Sequence, residues 1–315
     1  MRRFACLLSL LMITALSNAQ VSKPKTPFER VDGIYGIAPI VHDFMLALFD
    51  TEAVKGSKAV AGAMRMASKP GIEYMTVEFM SLACGGLIPY SGRPMDQAHK
   101  KLAIAPNHIQ AAKQAWAKAV EKSKLDAADK KFLIAEFYQH LLAIANNGAA
   151  GPASASGKET EAPNAIGRDA KSGLLHRRLE ASEVVAPGEP GSLYTRLGGI
   201  HRVAVLVSDW VDRLAKNPAA NEESGDGATS ANLPAIKFFL TMQLCDGIGG
   251  PQKYVGDKLM SPASGLGLSD AGWKAAYTDL QNVLATYQVR PQEQNDLVLY
   301  LQKNQKESVL SLPLR

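Results

Sequence analysis

The sequence predicts an all-α protein of two tandem helical domains, and three observations lead there. Apolar residues recur at spacings of three and four over long windows. No stretch of any length alternates apolar with polar residues, so little or no sheet is expected. One pattern of blocks occurs twice along the chain at a nearly constant offset. The 315 residues suit about two domains. Hydrophobic residues make up 46% and charged residues 21%, so each half has the material for a core.

At the N-terminus Arg2 and Arg3 precede an apolar run from Phe4 to about Leu16, and Ser17, Asn18 and Ala19 offer small residues before a cut at Gln20. This predicts a secretory signal peptide over residues 1–19 and a periplasmic or secreted protein. The Arg-Arg pair leaves the twin-arginine route open. No later apolar stretch approaches the ~18 residues of a membrane span, so no membrane partner is expected. The formal charge is +5, and two of those charges sit in the leader. The remainder is too small to argue for nucleic acid. Cys6 leaves with the leader, so Cys84 and Cys245 remain. They read as two buried helix residues rather than a disulfide framework, with a single inter-domain bridge left open.

The repeat begins with Phe28-Glu-Arg-Val-Asp-Gly33-Ile34, matched by Tyr194-Thr-Arg-Leu-Gly-Gly199-Ile200 at an offset of 166. At that offset Ile37, Val41, Phe44, Met45 and Leu48 fall on Val203, Val207, Trp210, Val211 and Leu214, one apolar helical stripe in each copy. Next, Cys84-Gly85-Gly86 through Tyr90 and Gly92 pairs with Ile248-Gly249-Gly250 through Tyr254 and Gly256, now at an offset of 164. The same offset aligns Ile109, Ala112, Trp116 and Val120 with Trp273, Ala276, Leu280 and Leu284. It also aligns Leu133 and Phe137 with Leu297 and Leu301. Four blocks in order argue for duplication. Each copy reads helix, irregular loop, helix, Gly-Gly break, irregular segment and two long helices. Ser68 with Pro70, and Asn232 with Pro234, mark the start of the second helix. Residues 148–190 are rich in Gly, Ala, Ser and Pro and poor in large apolar residues, which reads as a flexible linker. The expected domains are thus 24–147 and 191–315.

The Ser192-Leu-Tyr194-Thr-Arg-Leu-Gly-Gly199 opening resembles that of the truncated (2-on-2) haemoglobin family, most like its first group. So does Gly85-Gly86…Tyr90-Ser-Gly92-Arg-Pro-Met95-Asp-Gln-Ala-His99. The resemblance implies two tandem truncated-globin-like domains. It places His99 on the position of the iron's proximal ligand, and implies one b-type haem in the first domain. Met45, Ile72, Thr76, Phe79, Tyr90 and Met95 would complete its pocket. A neutral imidazole suits iron and leaves the opposite face for a diatomic gas, while the other ring nitrogen should donate to a carbonyl. The glycines before the histidine are expected to let the chain approach the disc.

The departures are as informative. Ala263 stands in the ligand's register in the second copy, so no haem is expected there. Met45 stands where the family has a distal tyrosine, and Thr76 near its distal glutamine. Thr76 is then the remaining hydrogen-bond donor for a bound gas. Neither Lys55-Gly-Ser57-Lys58 nor Glu222-Glu223-Ser224 offers the family's paired phenylalanines. His42, His108, His140, His176 and His201 show no metal-ligand pairing and read as surface or helix residues. The run Asp126–Lys131 reads as a solvated helix face. No nucleophile elbow or phosphate loop appears, so no enzyme is expected. The sequence therefore supports an exported haem protein that binds O2, NO or CO. It leaves open a haem-free module for protein contact or an apolar ligand, and a peroxidase-like or NO-consuming activity that needs an outside reductant or redox partner.

Overall fold

The computed structural model describes residues 24–63, 67–148, 188–221, 233–254, 268 and 270–310. The predicted leader, the Glu222-Glu223-Ser224 loop, Ala263 and most of the 148–190 segment lie outside them. Among the described residues the protein is all-α, with no strand.

The first half opens with α1 (Pro27–Arg30). Thr26 and Glu29 cap each other's backbone, at 2.7 and 3.2 Å, which satisfies two amide donors the first turn leaves free. Helix α2 (Gly33–Asp50) turns its Ile37, Val41, Phe44 stripe inward. It is 18 residues long and apolar enough by composition to cross a membrane, contrary to the reading that no such stretch follows the leader. Its apolar character has a different cause: α5, α7 and α12 all pack around it. The loop expected after it contains two short helices, α3 (Glu52–Lys55) and α4 (Lys58–Ala63), with Thr51 capping the first. Helix α5 (Lys69–Ala83) starts at Ser68 as predicted, where the Ser68 hydroxyl accepts the Gly71 N–H at 3.1 Å. A five-residue helix α6 (Met95–His99) leads to α7 (Pro106–Lys122) and α8 (Ala127–Gly148). Trp116, Phe44 and Phe137 close the core between α2, α7 and α8, with ring centroids 4.5 to 5.4 Å apart. The Trp116 indole N–H donates to the Leu133 carbonyl at 3.0 Å. The Asp126–Lys131 run is not wholly solvated, because Asp129 is buried and accepts from Arg30 of α1 at 2.7 Å.

The second half contains α9 (Leu193–Leu197), α10 (Ile200–Leu214), α11 (Pro218–Asn221), α12 (Leu233–Gly247), α13 (Asp270–Thr286) and α14 (Pro291–Leu310). Both ends of α5 and α12 are 164 residues apart, as are both ends of α7 and α13 and the starts of α8 and α14. The Gly-Gly breaks also match in geometry. Gly85 and Gly249 both lie in the left-handed region, at φ +84° and +88°. The carbonyl before each break accepts a backbone N–H from the opening helix: Phe28 to Cys84 at 2.8 Å, Tyr194 to Ile248 at 3.0 Å. A Cβ on Gly86 would lie 3.0 Å from the Phe28 ring, and one on Gly250 2.9 Å from Tyr194. The second glycine therefore admits an aromatic ring of the same half, where the sequence suggested close approach to a cofactor.

The halves pack on each other, α5 on α10 and α2 on α12. Tyr74 and Phe238, 164 residues apart, stack with centroids 4.8 Å apart and planes 21° from parallel. Tyr35 meets Phe239 at 5.6 Å, and the Ser68 hydroxyl donates to the His201 carbonyl at 2.6 Å. Each contact thus joins a helix of the first half to one of the second, α5 with α10 and α2 with α12. His201 is accordingly an interface residue. Cys84 and Cys245 are both free and buried, which removes the inter-domain bridge. Burial pushes the Cys84 thiol up to about 12 and that of Cys245 well above its usual range. Both thiols are expected to resist alkylation in the native protein and to react fully in denaturant, with no reductant-dependent shift in the unfolding midpoint. Mass spectrometry after timed labelling checks this.

Candidate functional site

His99 closes α6, one turn after Met95. Its Nδ1 lies 2.8 Å from the Met95 carbonyl oxygen. A carbonyl can only accept, so Nδ1 carries the proton and Nε2 presents its lone pair. No described residue hydrogen-bonds Nε2. Desolvation in this half-buried position lowers the pKa below the ordinary histidine value, against the raising effect of the Met95 carbonyl, which keeps the ring neutral near pH 7. One fixed tautomer with a free, unprotonated nitrogen is the chemistry a metal ligand needs. Helix α6 buries none of its residues fully and packs on α8.

Ile72, Thr76 and Phe79 are half-buried and share one face of α5. The Phe79 ring meets Tyr90 edge-on at 5.4 Å and His140 of α8 at 4.6 Å. Tyr90 is buried and donates its hydroxyl proton to the Arg93 carbonyl at 3.0 Å, which closes the turn before α6. A Cβ on Gly92 would run into the Tyr90 ring, so the turn needs glycine there. The Thr76 hydroxyl donates to the Ile72 carbonyl at 2.9 Å. That bond occupies the proton expected to serve a ligand and leaves this face without a free donor. Met45 is only 6% exposed and belongs to the α2 core. It edges a cleft of about 610 Å³ with Phe49, Lys69 and Lys118, whose lining includes none of Ile72, Thr76, Phe79 or His99. A second cleft of about 580 Å³, between the end of α7 and the start of α8, also lies away from His99.

Three residues escaped the sequence reading. Phe49 stands one turn beyond Met45, with the Lys69 ammonium 5.1 Å over its ring, and the spacing of four was its signal. His140 sits against Phe79, a contact only the fold reveals. Glu78 is a charged residue inside α5 that is only 1% exposed. It accepts the Ser91 N–H at 2.9 Å and the Ser91 hydroxyl at 2.6 Å. The Gln252 side-chain amide of the second half donates to the same Ser91 hydroxyl at 3.2 Å. Burial raises the Glu78 carboxyl to about 7, against the lowering effect of the Ser91 bonds. Beside it, the Tyr74 hydroxyl and the Gln252 Oε1 are buried without hydrogen-bond partners. Among the described residues no group of three or more His, Cys, Asp and Glu could hold a metal ion.

Residues 26–146 match the family model for bacterial-like globins. The chain is also similar to the group 1 truncated haemoglobin GlbN of Mycolicibacterium paratuberculosis, 27% identical over 94 residues. That match covers 30% of this chain and 65% of the relative, just under two thirds of its length.

Proposed function

We propose that the globin-like first half, residues 24–147, binds one b-type haem through the Nε2 of His99 and that a small diatomic gas is its ligand. The observation that carries this reading is the His99 Nδ1 to Met95 carbonyl bond, which fixes the proton on one nitrogen and frees the other. Ile72, Phe79 and Met95 would supply the apolar walls, with Tyr90 and Gly92 holding the turn that delivers α6. A bound haem would supply an iron with an open position for the gas. Because Thr76 spends its proton on its own helix, the pocket discriminates against dioxygen relative to carbon monoxide and nitric oxide by about 1 kcal/mol, the worth of one hydrogen bond.

The second half is then a degenerate duplicate, supported by the matched helix bounds and Gly-Gly geometry, with Ala263 where a ligand would stand. Its role is to pack against the first. The leader argues for export to the periplasm or beyond the cell.

The test is reconstitution of the mature chain with haemin. A shifted Soret band at one haem per chain is expected. His99→Ala should abolish it while leaving the helical circular dichroism intact. Equal spectra for both proteins would refute ligation by His99. One observation favours a second reading, a haem-free binding module: neither of the two clefts includes His99. Under that reading haemin binds neither protein.

A further inference from the structure

The turn from Tyr90 to Pro94 runs directly into α6, and it is pinned from two sides. From below, Ser91 gives both its N–H and its hydroxyl proton to the buried Glu78 carboxylate oxygen on α5. From across the interface, Gln252 of the second half gives its amide proton to the Ser91 hydroxyl oxygen. Gln252 is itself 2% exposed and is fixed just beyond the Gly249-Gly250 break. A Cβ on Gly250 would lie 2.8 Å from its Oε1, so the glycine leaves room for this side chain. Among the described residues of this turn Ser91 alone bonds to both halves, and it stands eight positions before His99.

We infer that Gln252 is a positioning residue acting in the other half of the molecule. Through Ser91, and with Glu78 as anchor, it holds the turn that sets where α6 and its histidine stand. This rests on the haem reading for its consequence but not for its geometry. A half that has lost its own ligand thus keeps a defined task. The groups that face Glu78 are Tyr74 on its own helix, Tyr90 in the turn, and Tyr194 and Cys245 from the second half. Each is neutral near pH 7, since burial raises every one of them. Among the described residues no cation competes with Ser91 for the carboxylate, and Gln252 carries the contact across the interface.

The experiment is hydrogen exchange on the haem-free full chain, read by peptide. In Gln252→Ala, amides of residues 90–102 should exchange several-fold faster, on the order of five, the loss of one hydrogen bond. Amides in α7 and α13 should keep their rates. Ser91→Ala, which also gives up the hydroxyl bond to Glu78, should loosen the same amides at least as much, and Ser91→Thr, which retains the hydroxyl, should keep them protected. Unchanged exchange over residues 90–102 in Gln252→Ala overturns the inference, as does loosening spread evenly over the second half. In haemin-loaded protein the iron–imidazole vibration should shift in Gln252→Ala and stay put in Ser91→Thr. Should neither protein take up haemin, the haem reading fails and the exchange result still decides this one.

Discussion

At about pH 8 the Glu78→Gln protein is expected to unfold at higher denaturant than the parent, by about 2–3 kcal/mol. The carboxyl is 1% exposed, has no cation beside it, and is raised to about 7 from an ordinary value of 4.5. Between those two values the folded protein binds more protons than the unfolded chain. Stability is therefore lost as pH rises through that window, and the whole deficit is present above it. Gln removes the deficit because it cannot ionise. Its carbonyl can accept both Ser91 bonds. At about pH 4 the carboxyl is protonated in both states, so parent and variant should unfold together. Urea titrations across that range are the measurement. A variant less stable than the parent at high pH would show that the buried charge is a net benefit.

The second large effect is expected at Gly71. Helices α5 and α10 approach so closely there that a Cβ would lie 2.9 Å from the His201 Cα and would also overlap the His201 ring. The ring could rotate, but the backbone cannot yield without moving a helix. Gly71→Leu should cost at least about 3 kcal/mol and separate the halves. Unfolding should then split into two transitions, and the hydrodynamic radius should grow. The effect cannot be ascribed to helix propensity, because leucine is a better helix former than glycine by about 0.8 kcal/mol. A single unchanged transition in Gly71→Leu would mean that the α5–α10 contact contributes little.

Much of the fold was legible because its signals are local. Ser68 before Lys69-Pro70 is a cap whose hydroxyl reaches the third residue on. The Gly-Gly breaks need a left-handed residue that few side chains tolerate. The stripes of α2 and α10 carry the helical period. The histidine was legible in the same way, from the spacing of Tyr90, Gly92, Met95 and His99. The pairing of the halves was not. Tyr74, Tyr35 and Phe238 belong to apolar stripes that look the same whether they face their own core or another helix pair. Glu78 was missed because its meaning depends on Ser91, thirteen residues on, and on Gln252 in the other half. Thr76 was read as a donor because sequence shows a hydroxyl, not where its proton goes. Asp129 was read as solvated because its partner, Arg30, stands 99 residues upstream.

Joining the α5–α10 and α2–α12 contacts within one polypeptide has a thermodynamic consequence. Two separate subunits would part on dilution below their dissociation constant. Here the partner is always present at an effective concentration set by the intervening segment, however few molecules there are. The contact between the halves would thus persist at any dilution, without the protein needing to be abundant.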